Sequence, residues 1–259
     1  MRIGSLFAGI GGLELGLERA GLGHVIWQIE IDGFCRNILA RHWPKADRSI
    51  SDVKLANRAN LAPVDLICGG FPCQDLSVAG RGRGLGGDRS GLWFEYARIV
   101  AEVKPRIVVV ENVAHGRGRW LPYVRRDLEA LGYRTCAHVV AAADVGAPHE
   151  RRRCFAIADA DSEPVRERPE RLPARRPRGL RGREEGQPLD ASEAWRPTGA
   201  SAWTAPPEIP RVDDGFSGEL DRERALGNAV VPQVAEVIGR IVLSTCSSAT
   251  STRSDEVGP

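Results

Sequence analysis

A cysteine set just past the end of an apolar strand can serve as a nucleophile. This 259-residue chain places Cys73 in that position, within Gly69-Gly70-Phe71-Pro72-Cys73-Gln74 after the apolar run Val64 to Cys68. The attacking species would be the thiolate, and Pro72 fixes the backbone immediately before it. Cys68, one step inside the strand, reads instead as a small core residue. A second group for the same chemistry is Glu111, in Val110-Glu111-Asn112-Val113, where the apolar strand Ile107 to Val110 ends in a carboxylate. A Glu and a Cys at the tips of neighbouring strands can converge on one small substrate. Partial burial would raise the Glu pKa and suit it to act as an acid near neutrality. Cationic groups come from Gly146-Ala147-Pro148-His149-Glu150-Arg151-Arg152-Arg153-Cys154. Strand alternation sends Arg151 and Arg153 to one face and Arg152 to the other, although a basic cluster on its own is as well explained by a solvated edge.

A separate set of residues suits ligand binding. The glycines of Leu6-Phe7-Ala8-Gly9-Ile10-Gly11-Gly12-Leu13 lie where a strand gives way to a helix; they let the backbone turn tightly and approach a ligand near free helix-start amides. A dinucleotide fingerprint needs glycine at position 14, which is Glu14 here, and this argues against an NAD-dependent oxidoreductase. Glu30 ends the next strand, where a carboxylate can accept from ribose hydroxyls, and Asp52 follows a further helix, where it could meet an adenine amino group. Either residue alone is also explained as a surface carboxylate. Asn228, in Leu226-Gly227-Asn228-Ala229-Val230-Val231-Pro232, opens the last long helix and either closes over a cofactor or caps the helix. The run Val78 to Gly91 interleaves glycine with arginine, which suits a phosphate-seeking lid or an ordinary loop.

The elements that must position these residues follow from periodicity. From Ile3 to Ala158 short apolar runs alternate with helical patterns, the signature of a parallel sheet covered by helices. Strands are predicted at Arg2 to Phe7, His24 to Glu30, Val64 to Cys68, Ile107 to Glu111, His138 to Ala142 and Cys154 to Ala158. Helices are predicted at Gly12 to Ala20, Gly33 to His42, Leu92 to Val103 and Val124 to Leu131, each ended by glycine or proline. Residues 1–158 thus form one α/β domain. Asp159 to Pro210 is crowded with Arg, Glu, Pro and Gly and reads as a loosely folded insert. Residues 211–243 return to the domain with a helix at Val230 to Leu243, and 244–259 read as a disordered tail.

Composition excludes little. With 36 Lys and Arg against 34 Asp and Glu the formal charge is +2, which alone announces no nucleic-acid partner. The basic residues are almost all arginine, suited to bidentate contacts with phosphates and base edges. Six cysteines show no C-x-x-C pair or zinc-ligand spacing, so neither a metal site nor a disulfide framework is expected. Met1 to Gly12 lacks signal-peptide features and no apolar run approaches the roughly 20 residues of a membrane span. The expectation is a cytoplasmic protein with reduced cysteines and no membrane partner.

In order, these segments resemble the DNA cytosine-5 methyltransferases, especially their compact phage and prophage form, over about Met1 to Ala158 and Arg211 to Leu243. The resemblance implies a Rossmann-like, S-adenosylmethionine-dependent methyltransferase fold with a small irregular target-recognition insert at 159–210. It implies that Phe7, Gly9 and Gly11 match the cofactor loop, Glu30 the ribose acid, Asp52 the adenine contact and Asn228 the residue closing the cofactor pocket. Pro72 and Cys73 match the catalytic Pro-Cys pair, Glu111 and Asn112 the Glu-Asn pair, and Arg151 and Arg153 the arginines of a Gln-x-Arg-x-Arg pattern. The implied activity is methyl transfer to C5 of a flipped cytosine in double-stranded DNA through a Cys73 adduct at C6, by a monomer that could accompany a restriction endonuclease. Two alternatives stay open: a tRNA cytosine-5 methyltransferase, and an inactive remnant that binds DNA. The chain departs from the pattern at His149, where the family usually has glutamine, and at Ser5, where many members have aspartate.

Overall fold

Alternating strands and amphipathic helices bury their apolar faces by stacking helices on both sides of a sheet. The computed structural model describes residues 1–72, 91–160 and 225–250, with side chains through 244, and these form such a sheet. The elements are β1 (Arg2–Leu6), α1 (Gly12–Arg19), β2 (His24–Ile29), α2 (Gly33–His42), β3 (Leu66–Gly70), α3 (Gly91–Val103), β4 (Ile107–Val113), α4 (Arg117–Ala130), β5 (Arg134–Val140), β6 (Arg153–Asp159) and α5 (Pro232–Thr250). Six strands join in the order β2-β1-β3-β4-β6-β5. β1 pairs in parallel with β2 and β3, and β3 with β4. The order reverses between β1 and β3, which opens a crevice at the strands' carboxyl ends, the usual ligand position in such sheets.

The sheet is not parallel throughout, contrary to what the alternating pattern predicts. β6 runs antiparallel to both β4 and β5. Between β5 and β6 the only regular element is the 3-10 turn Ala143–Val145, and without a crossover helix the chain comes back in the opposite direction. This reversal brings the amino end of β6, with Arg153, to the carboxyl end of β4, which carries Glu111. β5 spans Arg134–Val140 and not His138 to Ala142, because a largely exposed edge strand carries little of the apolar signal from which strands are read. α4 begins at Arg117, well ahead of Val124, with Gly118 and Pro122 inside the helix. α5 continues to Thr250, beyond the loss of apolar periodicity at Leu243. Ser244 to Thr250 contains no Gly or Pro to stop a helix already nucleated by packed turns.

Alternation divides the core in two. On β4, Val108 and Val110 pack with Trp93, Tyr96, Trp120 and Val124 of α3 and α4. Ile107 and Val109 pack with Leu13, Leu17, Val234 and Ile238 of α1 and α5. The stretch Ala225–Ser244 is long and apolar enough to cross a membrane by composition, but Val234, Ala235, Ile238 and Val242 form a buried helical stripe in that second core. Cys73, the Val78 to Gly91 run up to Ser90, the insert beyond Ala160, residues 211–224 and those after Thr250 lie outside the described residues.

Candidate active site

Strand register decides which side chains meet at the carboxyl edge. Glu111 follows Ile107 and Val109 in the alternation, and Arg153 precedes Phe155 and Ile157, so both belong to the face covered by α1 and α5. In the antiparallel pairing Glu111 lies opposite Phe155 and Val113 opposite Arg153, which makes Glu111 and Arg153 diagonal neighbours within reach of long side chains. Arg153 Nε lies 2.8 Å from Glu111 Oε1. Glu111 is 8 % exposed, and burial pushes its carboxyl up to about 7 against the opposing pull of Arg153 and Arg151. A carboxyl poised there can donate a proton near neutral pH while a guanidinium beside it stabilises developing negative charge.

The room for this carboxyl comes from β3. Gly70 pairs with Glu111 across the parallel ladder, and a Cβ on Gly70 would lie 2.4 Å from Glu111 Oε2. Gly70 is a site position that motif spacing does not reveal, although its doublet with Gly69 just before the Pro-Cys pair is a signal of close approach. Asn112 belongs to the opposite face. Its Nδ2 donates to the Phe71 carbonyl at 3.0 Å, and its Oδ1 accepts from the Val113 amide. The Phe71 ring packs against Trp93 and Trp120, with centroids 5.4 and 6.1 Å away. The chain is therefore held by backbone and side chain two residues before Cys73, while Pro72 is exposed at the boundary of the described residues. Cys68 is fully buried and burial pushes its thiol up, which makes it inert as a nucleophile.

On the β1 side of the crevice, Phe7 and Gly9 take positive φ angles of 54° and 56°. The Gly9 amide donates to Glu30 Oε2 at 2.7 Å and the Asp32 amide to Glu30 Oε1 at 2.8 Å. Glu30 thus braces two loops, and each oxygen retains acceptor capacity. A Cβ on Gly9 would meet nothing within 4 Å, and Gly11 completes the turn as the amino cap of α1. Asp52 caps the 3-10 turn Val53–Leu55 by accepting from the Lys54 amide at 2.9 Å. A parallel bridge between Trp27 and Asp47 starts this segment alongside β2 and heads it toward the same edge.

Arg151 has a different position from Arg153. Its Nη2 donates to the Gly227 carbonyl at 2.8 Å and its Nε to the Ala229 carbonyl at 3.1 Å. These carbonyls flank Asn228, whose side chain is exposed. Arg152 turns away and pairs with Glu150 at 2.8 Å. Between the glycine loop and the returning segment opens a cavity of about 620 Å³, with Ile10, Gly11, Gly12, Arg151, Ala229 and Val230 in its walls. Among the described residues no group of three His, Cys, Asp or Glu could hold a metal ion.

A family model described as C-5 cytosine-specific DNA methylase matches residues 1–178. The chain belongs to this family. Type II methyltransferase M.HhaI of Haemophilus parahaemolyticus is 34 % identical over 161 residues, covering 61 % of this chain and 48 % of its own. Type II methyltransferase M.SsoII of Shigella sonnei is 33 % identical over 169 residues, covering 64 % and 44 %. The chain thus spans about half the length of the curated relatives it matches. Among solved structures, an E. coli prophage-encoded chain described as a DNA modification methyltransferase has 31 % identity and a TM-score of 0.50, covering 61 % of this chain and 46 % of that one. The S. pombe Dnmt2 methyltransferase shares the fold at 18 % identity and a TM-score of 0.51, covering 63 % and 52 %. C-5 cytosine methylases use S-adenosylmethionine, and the open space over Gly9 beside the remaining acceptor capacity of Glu30 fits the nucleoside part of that donor.

Proposed function

We propose that this chain methylates C5 of cytosine in double-stranded DNA, with Cys73 as nucleophile. The observation that carries the proposal is the buried Glu111–Arg153 pair on the strand whose Asn112 holds the chain just ahead of Cys73. Cytosine C5 is a poor nucleophile, so the Cys73 thiolate adds at C6 and pushes electron density toward C5. Glu111 donates to N3 and Arg153 offers fixed positive charge as density builds on the ring. S-adenosylmethionine supplies the electrophilic methyl group. Loss of the C5 proton and cleavage of the Cys73–C6 bond then restore the ring. Pro72 and Asn112 orient the chain leading to the nucleophile, and Phe7, Gly9, Gly11, Glu30, Asp52 and Asn228 would hold the donor. The base must leave the helical stack to be reached, which costs on the order of a few kcal/mol.

Both halves of the site come from one chain, which supports a monomer; action on DNA and a cytoplasmic location belong to the same proposal. A cognate restriction endonuclease as partner is in keeping with the type II names of the relatives. Residues 159–210 stand where a target-recognition insert would. The deciding experiment is transfer of labelled methyl from S-adenosylmethionine to DNA with mapping of the product base, alongside Cys73→Ser. We expect 5-methylcytosine within a recurring motif for the natural chain and none for the variant. Full activity in Cys73→Ser would overturn the mechanism, and transfer to tRNA alone would move the substrate to RNA.

A further inference from the structure

Arg151 lies 76 residues in sequence from Gly227 and 78 from Ala229, yet its guanidinium bonds to both of their carbonyls. The guanidinium holds them in a fixed planar fork, Nε and Nη2 both donating to the Ala229 carbonyl and Nη2 also to that of Gly227, a geometry that an ammonium on a flexible stem does not pre-set. The grip is set by local backbone: Arg151 takes a φ of 25°, an unusual value for a non-glycine residue. The gripped segment is also pressed onto the glycine loop, for a Cβ on Gly12 would come within 2.1 Å of the Val230 carbonyl. Two residues along the chain from Arg151, Arg153 pairs with Glu111.

We propose that Arg151 is a positioning residue that couples the two halves of the site, locking the segment around Asn228 against the glycine loop while standing beside the Glu111–Arg153 pair. The inference rests on the methyltransferase reading for its cofactor and rate measurements, but the clamp itself can be tested without them. Its charge adds to that of Arg153 in opposing the upward push of burial on Glu111, so one side chain acts on both half-sites.

Arg151→Met and Arg151→Lys separate these effects, with Arg152→Gln as a neighbouring surface control and thermal unfolding as a check on folding. In Arg151→Met, amide hydrogen exchange across 226–231 should rise in the chain without ligand. Binding of S-adenosylmethionine measured by calorimetry without DNA should weaken about 10- to 100-fold, the range for losing charge-assisted hydrogen bonds. The alkaline limb of the methyl-transfer pH profile should move upward, because a charge holding the Glu111 carboxyl down has gone. Arg151→Lys keeps the charge but loses the rigid fork on the Ala229 carbonyl, so it should restore the pH limb and leave exchange and cofactor affinity impaired. Exchange and affinity within twofold of the natural chain in Arg151→Met would overturn the clamp, as would full restoration of both by lysine. Failure of the natural chain to bind S-adenosylmethionine would instead count against the functional reading, and the exchange measurement would still decide on the clamp.

Discussion

Glu14 and Glu111 are both buried carboxyls pushed up to about 7, and their surroundings differ. Glu111 has a guanidinium partner in the site. Glu14, in the first turn of α1, is 1 % exposed, and burial raises its pKa while Ser5 opposes the rise. The same residue that argues from sequence against a dinucleotide fingerprint is thus part of the protein interior. A folded pKa above the unfolded value of 4.5 means that the folded state binds more protons between about 4.5 and 7. The associated stability is fully present below the unfolded value and is lost as pH rises through the folded one. For Glu14 the span corresponds to roughly 3 kcal/mol. Glu14→Gln should therefore flatten the fall in unfolding temperature between pH 5 and pH 8. If the variant and the natural chain declined in parallel, Glu14 would not be the source of the pH dependence.

At the scale of elements, the catalytic edge depends on how closely β3 and β4 approach. The atom facing a Cβ on Gly70 is the far end of the flexible Glu111 side chain at 2.4 Å, so Gly70→Ala displaces the carboxyl more than the strands. The expected result is an unfolding temperature near that of the natural chain with methyl transfer reduced about 100-fold, since misplacement by about 1 Å can cost that much. A large loss of stability with the residual rate intact would show that the strands, and not the carboxyl, move. The segments β1 to α2 are legible in sequence because their apolar periodicity and glycine turns agree, and Cys73, Glu111 and Arg153 could be picked out as chemical groups. That Arg153 meets Glu111 was not legible, because it follows from the reversed direction of β6. Gly70 and the Arg151 clamp escaped for a related reason: each is defined by a partner on another element, and no local pattern records that partner.

For the molecule as a whole, a formal charge of +2 gives little general attraction to DNA, so the DNA affinity that the proposed function requires would have to come from local placement of cations. Immediately after β4 the chain carries His115, Arg117 and Arg119, all exposed, in a stretch with no acidic residue between Glu111 and Asp127. Arg117 opposes the rise of the buried Cys154 thiol to about 11, and Cys154 lies opposite Asn112 in the β4–β6 ladder, so this cation stands near the catalytic edge. In the proposed reaction a flipped base reaching Glu111 would bring its flanking phosphates close to that edge, where Arg117 and Arg119 could displace condensed counterions. Each phosphate neutralised contributes a slope of about −0.9 to log affinity against log salt. The double substitution Arg117→Gln with Arg119→Gln should make the slope shallower by roughly 1.8 while cofactor binding without DNA stays unchanged. An unchanged slope would mean that these arginines face solvent in the complex and that other cations hold the DNA backbone.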